Sequence, residues 1–281
     1  MVSSIYWNGE FIPYGEVKVP LEDRGYLFAD GVYEVIRVYG GKPFALGRHL
    51  ERLKRSSMAI ELPFLLSTEE LSAAAERLIA LDNKKGDTIL YIQLTRGAAP
   101  RSHIFPDVVR PNLWMMLKPF LKEIDYRNGV KAITVPDERW SRCYIKSISL
   151  LPNVLACQKA RREGAFESIM IRDGFVTEGS SSNFFMIDEG ILKTPPLTNY
   201  ILPGITRQIV LELCNRKKIK YSETHIGLGE IYCAQEIFLT SATIEIVPVV
   251  CVDRVNIGTG NPGEKTVELL NAYRENVSVF P

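Results

Sequence analysis

The chain has 281 residues, 46% of them hydrophobic and 24% charged, and a formal net charge of +1 at pH 7. That balance suits a globular chain with an ordinary core, and at roughly 100–200 residues per domain two domains are expected. The near-neutral charge and the lack of a basic tract argue against a nucleic-acid partner, and no segment approaches the ~20 apolar residues of a membrane-spanning helix.

Residues 5–12 contain Asn8-Gly9, a hairpin turn signal between two short strands. Strands at 32–39 and 42–46 flank Gly40-Gly41 and predict a second hairpin. A helix is predicted over 48–58, with Leu46, Leu50, Leu53 and Ser57 on one stripe, and another over 68–81, where Ser67 and Glu70 form a capping box. Strands follow at 88–95 and 113–117. The polar stretch KPFLKEIDYRNG at 118–129 carries Pro119 and Asn128-Gly129 and reads as a linker. It divides the chain into 1–118, a connector at 119–129, and 130–281.

Beyond the linker, a strand is expected at 130–135, a helix at 152–163, and strands at 168–172 and 183–187 around an Asp173-Gly174 turn. A helix at 204–214, two strands within 236–250 and an amphipathic helix at 263–277 complete the chain. Strands and helices mix irregularly, which predicts α/β or α+β domains and speaks against a Rossmann sheet. Five widely spaced cysteines without a C-x-x-C pair point to reduced thiols, not a disulfide framework or a zinc site. His49, His103 and His225 lack metal-ligand spacing, so no metal is expected. The N-terminal residues show no basic stretch followed by an apolar run, and a cytoplasmic location is expected.

Several residues are candidates for chemistry. Lys146, in C-Y-I-K-S-I-S-L-L-P-N, has apolar or small neighbours. It is either a strand-edge lysine reaching water or a desolvated amine, and the second would be a nucleophile toward an aldehyde. Glu178, in V-T-E-G-S-S-S-N, is either part of a solvated turn or a carboxylate facing a ligand cation, with serine hydroxyls beside it for an anionic group. Leu202-Pro203-Gly204-Ile205-Thr206-Arg207 opens a helix whose free N–H groups suit a phosphate, or which is simply capped. Arg96–His103 is a cationic loop suited to a carboxylate, or a turn facing solvent. Tyr33 reads as packing on a strand. Arg48, Arg52 and Arg55 share a helix face, and one of them can turn inward to a phosphate.

In this order, D-R-G-Y-x-F-x-D-G-V-Y-E, R-G-x-x-P-R-x-H, I-K-S-x-x-L-L, T-E-G-S-S-S-N and G-I-T-R resemble the fold-type IV pyridoxal-phosphate enzymes. That family includes branched-chain aminotransferases, aminodeoxychorismate lyases and D-amino acid aminotransferases, and the R-G-A-A-P-R-S-H loop looks like the last branch. The resemblance implies a small N-terminal α/β domain and a larger C-terminal domain with a barrel-like sheet. It also implies a homodimer that binds pyridoxal 5'-phosphate and exchanges an amino group between a D-amino acid and a 2-oxo acid by a ping-pong route. An R-selective amine or branched-chain L-amino acid aminotransferase is the alternative on the same scaffold.

By the same resemblance, Lys146 matches the lysine that carries the cofactor, and Glu178 the acid that pairs with its ring nitrogen. Arg52, Ile205 and Thr206 match phosphate-binding positions, and Leu202 packs on the ring. Ser181, Ser182, Gly204, Ser241 and Ala242 complete the expected cofactor set. Ala242 stands where relatives often have a phosphate-binding threonine, so one weaker contact, through its backbone N–H, is expected. Tyr33, Arg101 and His103 match the trap for the substrate carboxylate.

Overall fold

The computed structural model describes residues 4–64, 66–82, 86–121 and 123–277. They form two compact units. The first comprises the residues through Leu121 and takes back the short segment Ile145–Ser149; the second holds the chain up to Tyr144 and from Leu150 onward. A division at 119–129 leaves Lys146 with the second domain, whereas here it packs with the first. The cause is backbone pairing: Tyr33 N–H donates to the Lys146 carbonyl (3.0 Å) and Ile148 N–H to that of Gly31 (3.1 Å).

The first unit contains β1 (Ser4–Trp7), β2 (Glu10–Pro13), α1 (Arg24–Phe28), β3 (Gly31–Tyr39), β4 (Lys42–Pro43), α2 (Leu46–Ala59), α3 (Thr68–Leu81), β5 (Thr88–Thr95) and β6 (Asn112–Pro119). Its antiparallel sheet runs β2-β1-β6-β5-β3-β4. Asn8 and Gly9 take positive φ (48° and 102°), the tight hairpin turn that this dipeptide predicts. Alternate residues of the central strands (Ile36, Val38, Leu90, Ile92, Met115, Leu117) bury one sheet face against Leu50 and Leu53 of α2 and Leu71, Ala75 and Leu78 of α3. The predicted capping box opens α3: Ser67 N–H donates to Glu70 Oε2 (2.7 Å) and Glu70 N–H to Ser67 Oγ (3.1 Å). The strand expected at 42–46 shrinks to two residues because Ala45 turns left-handed (φ 54°) and Leu46 already begins the helix.

The second unit contains β7 (Val130–Pro136), α4 (Leu151–Arg162), β8 (Glu167–Arg172), β9 (Phe175–Gly179), β10 (Asn183–Asp188), β11 (Ile191–Thr194), α5 (Ile205–Lys217), β12 (Tyr221–Glu223), α6 (Leu228–Ile231), β13 (Glu236–Ser241), β14 (Glu245–Val252), β15 (Val255–Asn256) and α7 (Glu264–Val277). The sheet runs β12-β11-β10-β13-β14-β7-β8-β9, with β15 on β14; β7 pairs in parallel with both β14 and β8. Only Ser180–Ser182 separate β9 from β10, and Gly179 N–H donates to the Ser182 carbonyl (2.7 Å). The last strand therefore returns beside β10, and the sheet curls into a barrel-like wall. Successive residues face opposite sides of that wall: Ile169 joins the cluster with Phe184, Leu239 and Val247, while Met170 packs with Ala156 and Ala160 of α4.

The Asp173-Gly174 turn joins β8 to β9, so Glu178 lies on a strand and not in a solvated turn. The single turn α1 and the short β11, β12 and α6 carried no readable periodicity at three to five residues each.

Candidate active site

In the first unit, β3 sends neighbouring side chains to opposite faces. Tyr33 stacks on Tyr91 (centroids 5.7 Å apart, 23° between planes), which stacks in turn on Trp114 (5.0 Å). Half-buried Lys146 places its Nζ 4.3 Å from the centre of the Tyr33 ring, and its N–H donates to Ser56 Oγ (3.2 Å). Among the described residues this ammonium forms no hydrogen bond or ion pair. Glu34, on the other face, is fully buried and accepts from Arg52 Nε (2.7 Å) and Nη2 (2.9 Å), with His49 Nδ1 at 2.7 Å. Burial alone would raise the Glu34 carboxyl, but Arg52 and His49 bring it well below the usual carboxylate range. Burial also lowers the His49 imidazole, against the pull of Glu34. Arg52 is thus held by a carboxylate that the sequence did not single out.

Arg101 and His103 are exposed and meet on Phe28: the Arg101 guanidinium lies 5.3 Å from that ring's centre, and the imidazole packs edge-on at 5.5 Å. Among the described residues no hydrogen bond, ion pair or ring contact joins either to Tyr33 or Lys146. The structure therefore pairs Tyr33 with Lys146, and Arg101 with His103.

In the second unit, Glu178 is buried and fully engaged. Its Oε1 accepts from Arg139 Nη1; its Oε2 accepts from Asn183 Nδ2 (2.8 Å) and from Leu202 N–H (3.1 Å). Burial pushes this carboxyl up to about 7, against the opposing pull of Arg139 and the Leu202 N–H. Arg139 is itself clasped by Asp137 (Nε–Oδ1 2.9 Å, Nη2–Oδ2 2.7 Å) and donates to the Tyr200 carbonyl (2.9 Å). Asp137 and Arg139 escaped the sequence because three successive charges in V-P-D-E-R-W look like an exposed loop.

Ser181 and Ser182 turn their hydroxyls to the buried carboxylate of Glu167 (2.9 and 3.2 Å), as does Ser180. Helix α5 starts at Gly204 without a side-chain cap, and Ile205 and Thr206 are buried in its first turn. A Cβ at Gly204 would collide with Asn183 Oδ1, so glycine is required there. The Thr206 hydroxyl has no partner among the described residues. Ser241 Oγ lies 3.2 Å from Thr243 Oγ1, and Ala242 follows it in the turn between β13 and β14.

Taken unit by unit, these groups have the chemistry that pyridoxal phosphate needs. A buried carboxylate poised near neutrality suits a ring nitrogen that carries a proton. An uncapped helix start with an unpartnered hydroxyl suits a phosphate. A half-buried ammonium without a counter-ion suits a nucleophilic amine.

Residues 31–252 match the family model for amino-transferase class IV. The chain is 42% identical over 274 residues to a D-alanine aminotransferase of Bacillus licheniformis, covering 97% of this chain and 96% of that protein. It is 40% identical over 276 residues to the D-alanine aminotransferase of Staphylococcus haemolyticus, covering 98% of each. Its structure is similar to the branched-chain amino acid aminotransferase of Escherichia coli (TM-score 0.92, 26% identity, 98% of this chain and 94% of that one). It also resembles the branched-chain aminotransferase of Thermoproteus uzoniensis with norvaline (TM-score 0.90, 29% identity, 99% and 95%). A third similar structure is the PLP form of the Thermobaculum terrenum branched-chain enzyme (TM-score 0.87, 26% identity, 98% and 94%).

Proposed function

The chain belongs to the amino-transferase class IV family, and from that premise we propose that it exchanges an amino group between a D-amino acid such as D-alanine and a 2-oxo acid such as 2-oxoglutarate, with pyridoxal phosphate as cofactor. The observation that carries the choice of D-amino acids is the 42% identity, over 97% of the chain, to a D-alanine aminotransferase.

When bound, pyridoxal phosphate supplies an aldehyde that carries the amino group and a ring that withdraws electrons from the substrate Cα–H bond. The chain's own residues do the rest. Lys146 Nζ would hold the cofactor through its amine and would move the proton at the substrate Cα. The Tyr33 face limits where that amine can swing. Glu178 keeps the proton on the ring nitrogen; Arg139, Asn183 and the Leu202 N–H fix its two oxygens. Arg52, Ile205, Thr206 and the 241–242 turn bind the phosphate, with Gly204 leaving room for the Asn183 side chain and Ala242 offering only its backbone N–H. Ser181 and Ser182 act through the network on Glu167. Arg101, His103 and Tyr33 orient the substrate carboxylate.

The assembly in this reading is a homodimer acting in the cytoplasm. Helix α4 supports the first part: Leu151, Val154 and Leu155, at i, i+3 and i+4, form an exposed apolar stripe that suits a second copy. The five free thiols support the second.

The decisive assay supplies D-alanine and 2-oxoglutarate and follows pyruvate and D-glutamate. Turnover confined to L-amino acids would shift the assignment to the branched-chain activity that the structural neighbours carry.

A further inference from the structure

We infer that Arg24 is a positioning residue for carboxylate recognition: it holds the loop that carries Arg101 and His103, and so sets substrate affinity without touching substrate. The inference rests on the proposed role of Arg101 and His103 in binding that carboxylate.

The loop between β5 and β6 lies outside the strands of the sheet and exposes Arg101, Ser102 and His103. What orders it is the segment before β3. Backbone stitches come first: Arg24 N–H donates to the Gly97 carbonyl (2.9 Å), Ala99 N–H to that of Glu22 (3.3 Å), and Asp23 bridges to Ala98. The Arg24 guanidinium then reaches further along the loop. Its Nη1 donates to the carbonyls of Ser102 (2.6 Å) and Ile104 (3.3 Å), the residues on either side of His103. Its Nε is anchored on Asp30 Oδ2 (2.8 Å), an oxygen that Arg96 Nε also binds (2.7 Å). Arg24 and Arg96 are 3% and 2% exposed, so these are desolvated, charge-assisted bonds.

Two rings close the clamp. Phe28 lies under Arg24 (4.8 Å) and against Arg101 and His103, so α1 touches both candidate recognition side chains directly. Phe105, two residues beyond His103, caps the Arg96 guanidinium at 3.7 Å.

Lysine cannot replace this arrangement. One ammonium lacks the planar fork that bonds Asp30 and two carbonyls at once. Loss of a charge-assisted hydrogen bond costs about 10–100-fold in affinity. Loss of the Arg24 bonds should therefore raise the KM for D-alanine at least about tenfold while kcat at saturation stays within a small factor.

The test compares holoenzyme carrying Arg24→Gln, Arg24→Lys or Arg101→Ala with the wild type. Three quantities are read: KM and kcat for D-alanine, the dissociation constant of propionate from the change in cofactor absorbance, and the dissociation constant of pyridoxal phosphate itself. The inference expects Arg24→Gln to weaken propionate and raise KM as Arg101→Ala does, with cofactor affinity unchanged and Arg24→Lys in between. Wild-type propionate binding in Arg24→Gln, beside a loss in Arg101→Ala, overturns the inference alone. Equal loss of cofactor and propionate binding in Arg24→Gln also overturns it, because that marks general damage. Unchanged propionate binding and KM in Arg101→Ala removes the premise and with it the inference. Should Arg24→Gln fail to fold, Arg24→Lys decides by the same readings.

Discussion

The Nζ of Lys146 stands 4.3 Å from the centre of the Tyr33 ring, and the Tyr33 N–H is bonded to the Lys146 carbonyl. Backbone and side chain thus tie the amine to the start of β3, although 113 positions separate the two residues in the chain (146 minus 33).

Lys146→Ala should abolish borohydride trapping of the cofactor and lower the transamination rate by roughly 10²–10⁴-fold, the usual contribution of a proton-transfer group. Tyr33→Leu removes the ring but keeps the backbone bond. It should retain trapping while losing substrate affinity. Peptide mapping after reduction checks both, and a label on any lysine other than 146 would sink the assignment.

Arg139→Met takes away the cation on Glu178 and leaves Asp137 without its clasp. The Glu178 carboxyl should rise further and spend more time protonated, which weakens its hold on a protonated ring. Cofactor affinity should fall by roughly 10–100-fold, the scale of a lost charge-assisted bond. Titration of apoenzyme, read by fluorescence quenching, measures this; an unchanged dissociation constant would mean that Arg139 is only scaffolding.

Stability of the apoenzyme should depend on pH through two carboxyls of opposite sign. Burial pushes Glu178 up to about 7 from an ordinary 4.5, so its contribution is complete below pH 4.5 and is lost as pH rises through 7. Asp137 is brought to about 2 from 3.8: burial would raise it, but Arg139 and Thr177 more than offset that. Its contribution, about 2 kcal/mol, is present above pH 3.8 and disappears as pH falls toward 2. Denaturant midpoints of wild type and Glu178→Gln, compared from pH 5 to 8, should diverge as the wild type declines. Parallel curves would contradict the buried, near-neutral carboxylate.

Ser67→Ala should cost about 1 kcal/mol by breaking the capping box of α3. Leu53→Ala, at a fully buried position between α2 and the sheet, should cost about 2–5 kcal/mol. Both changes should leave KM for D-alanine untouched in folded protein, and equilibrium unfolding gives the ranking. A larger loss for Ser67→Ala than for Leu53→Ala would refute the packing described for the first unit.

Short-range features were legible because their causes lie within a few residues. Asn8-Gly9 imposes its turn, Ser67 and Glu70 cap α3, and the leucine stripe of α2 follows from the helical period. The candidates Lys146 and Glu178 stood out because charge in an apolar or serine-rich setting is locally unusual. Their partners were not visible, because each comes from far along the chain. Arg139 is 39 residues from Glu178 and Leu202 is 24 away; Glu34 meets Arg52 across 18 residues, and Arg24 meets Ser102 across 78. By itself the sequence determined the turns, caps, apolar faces and unusual charges, since these depend on local sterics and periodicity. Only the tertiary structure decided which charge neutralises which, because Coulomb and hydrogen-bond partners are chosen by distance in space after the sheets have closed.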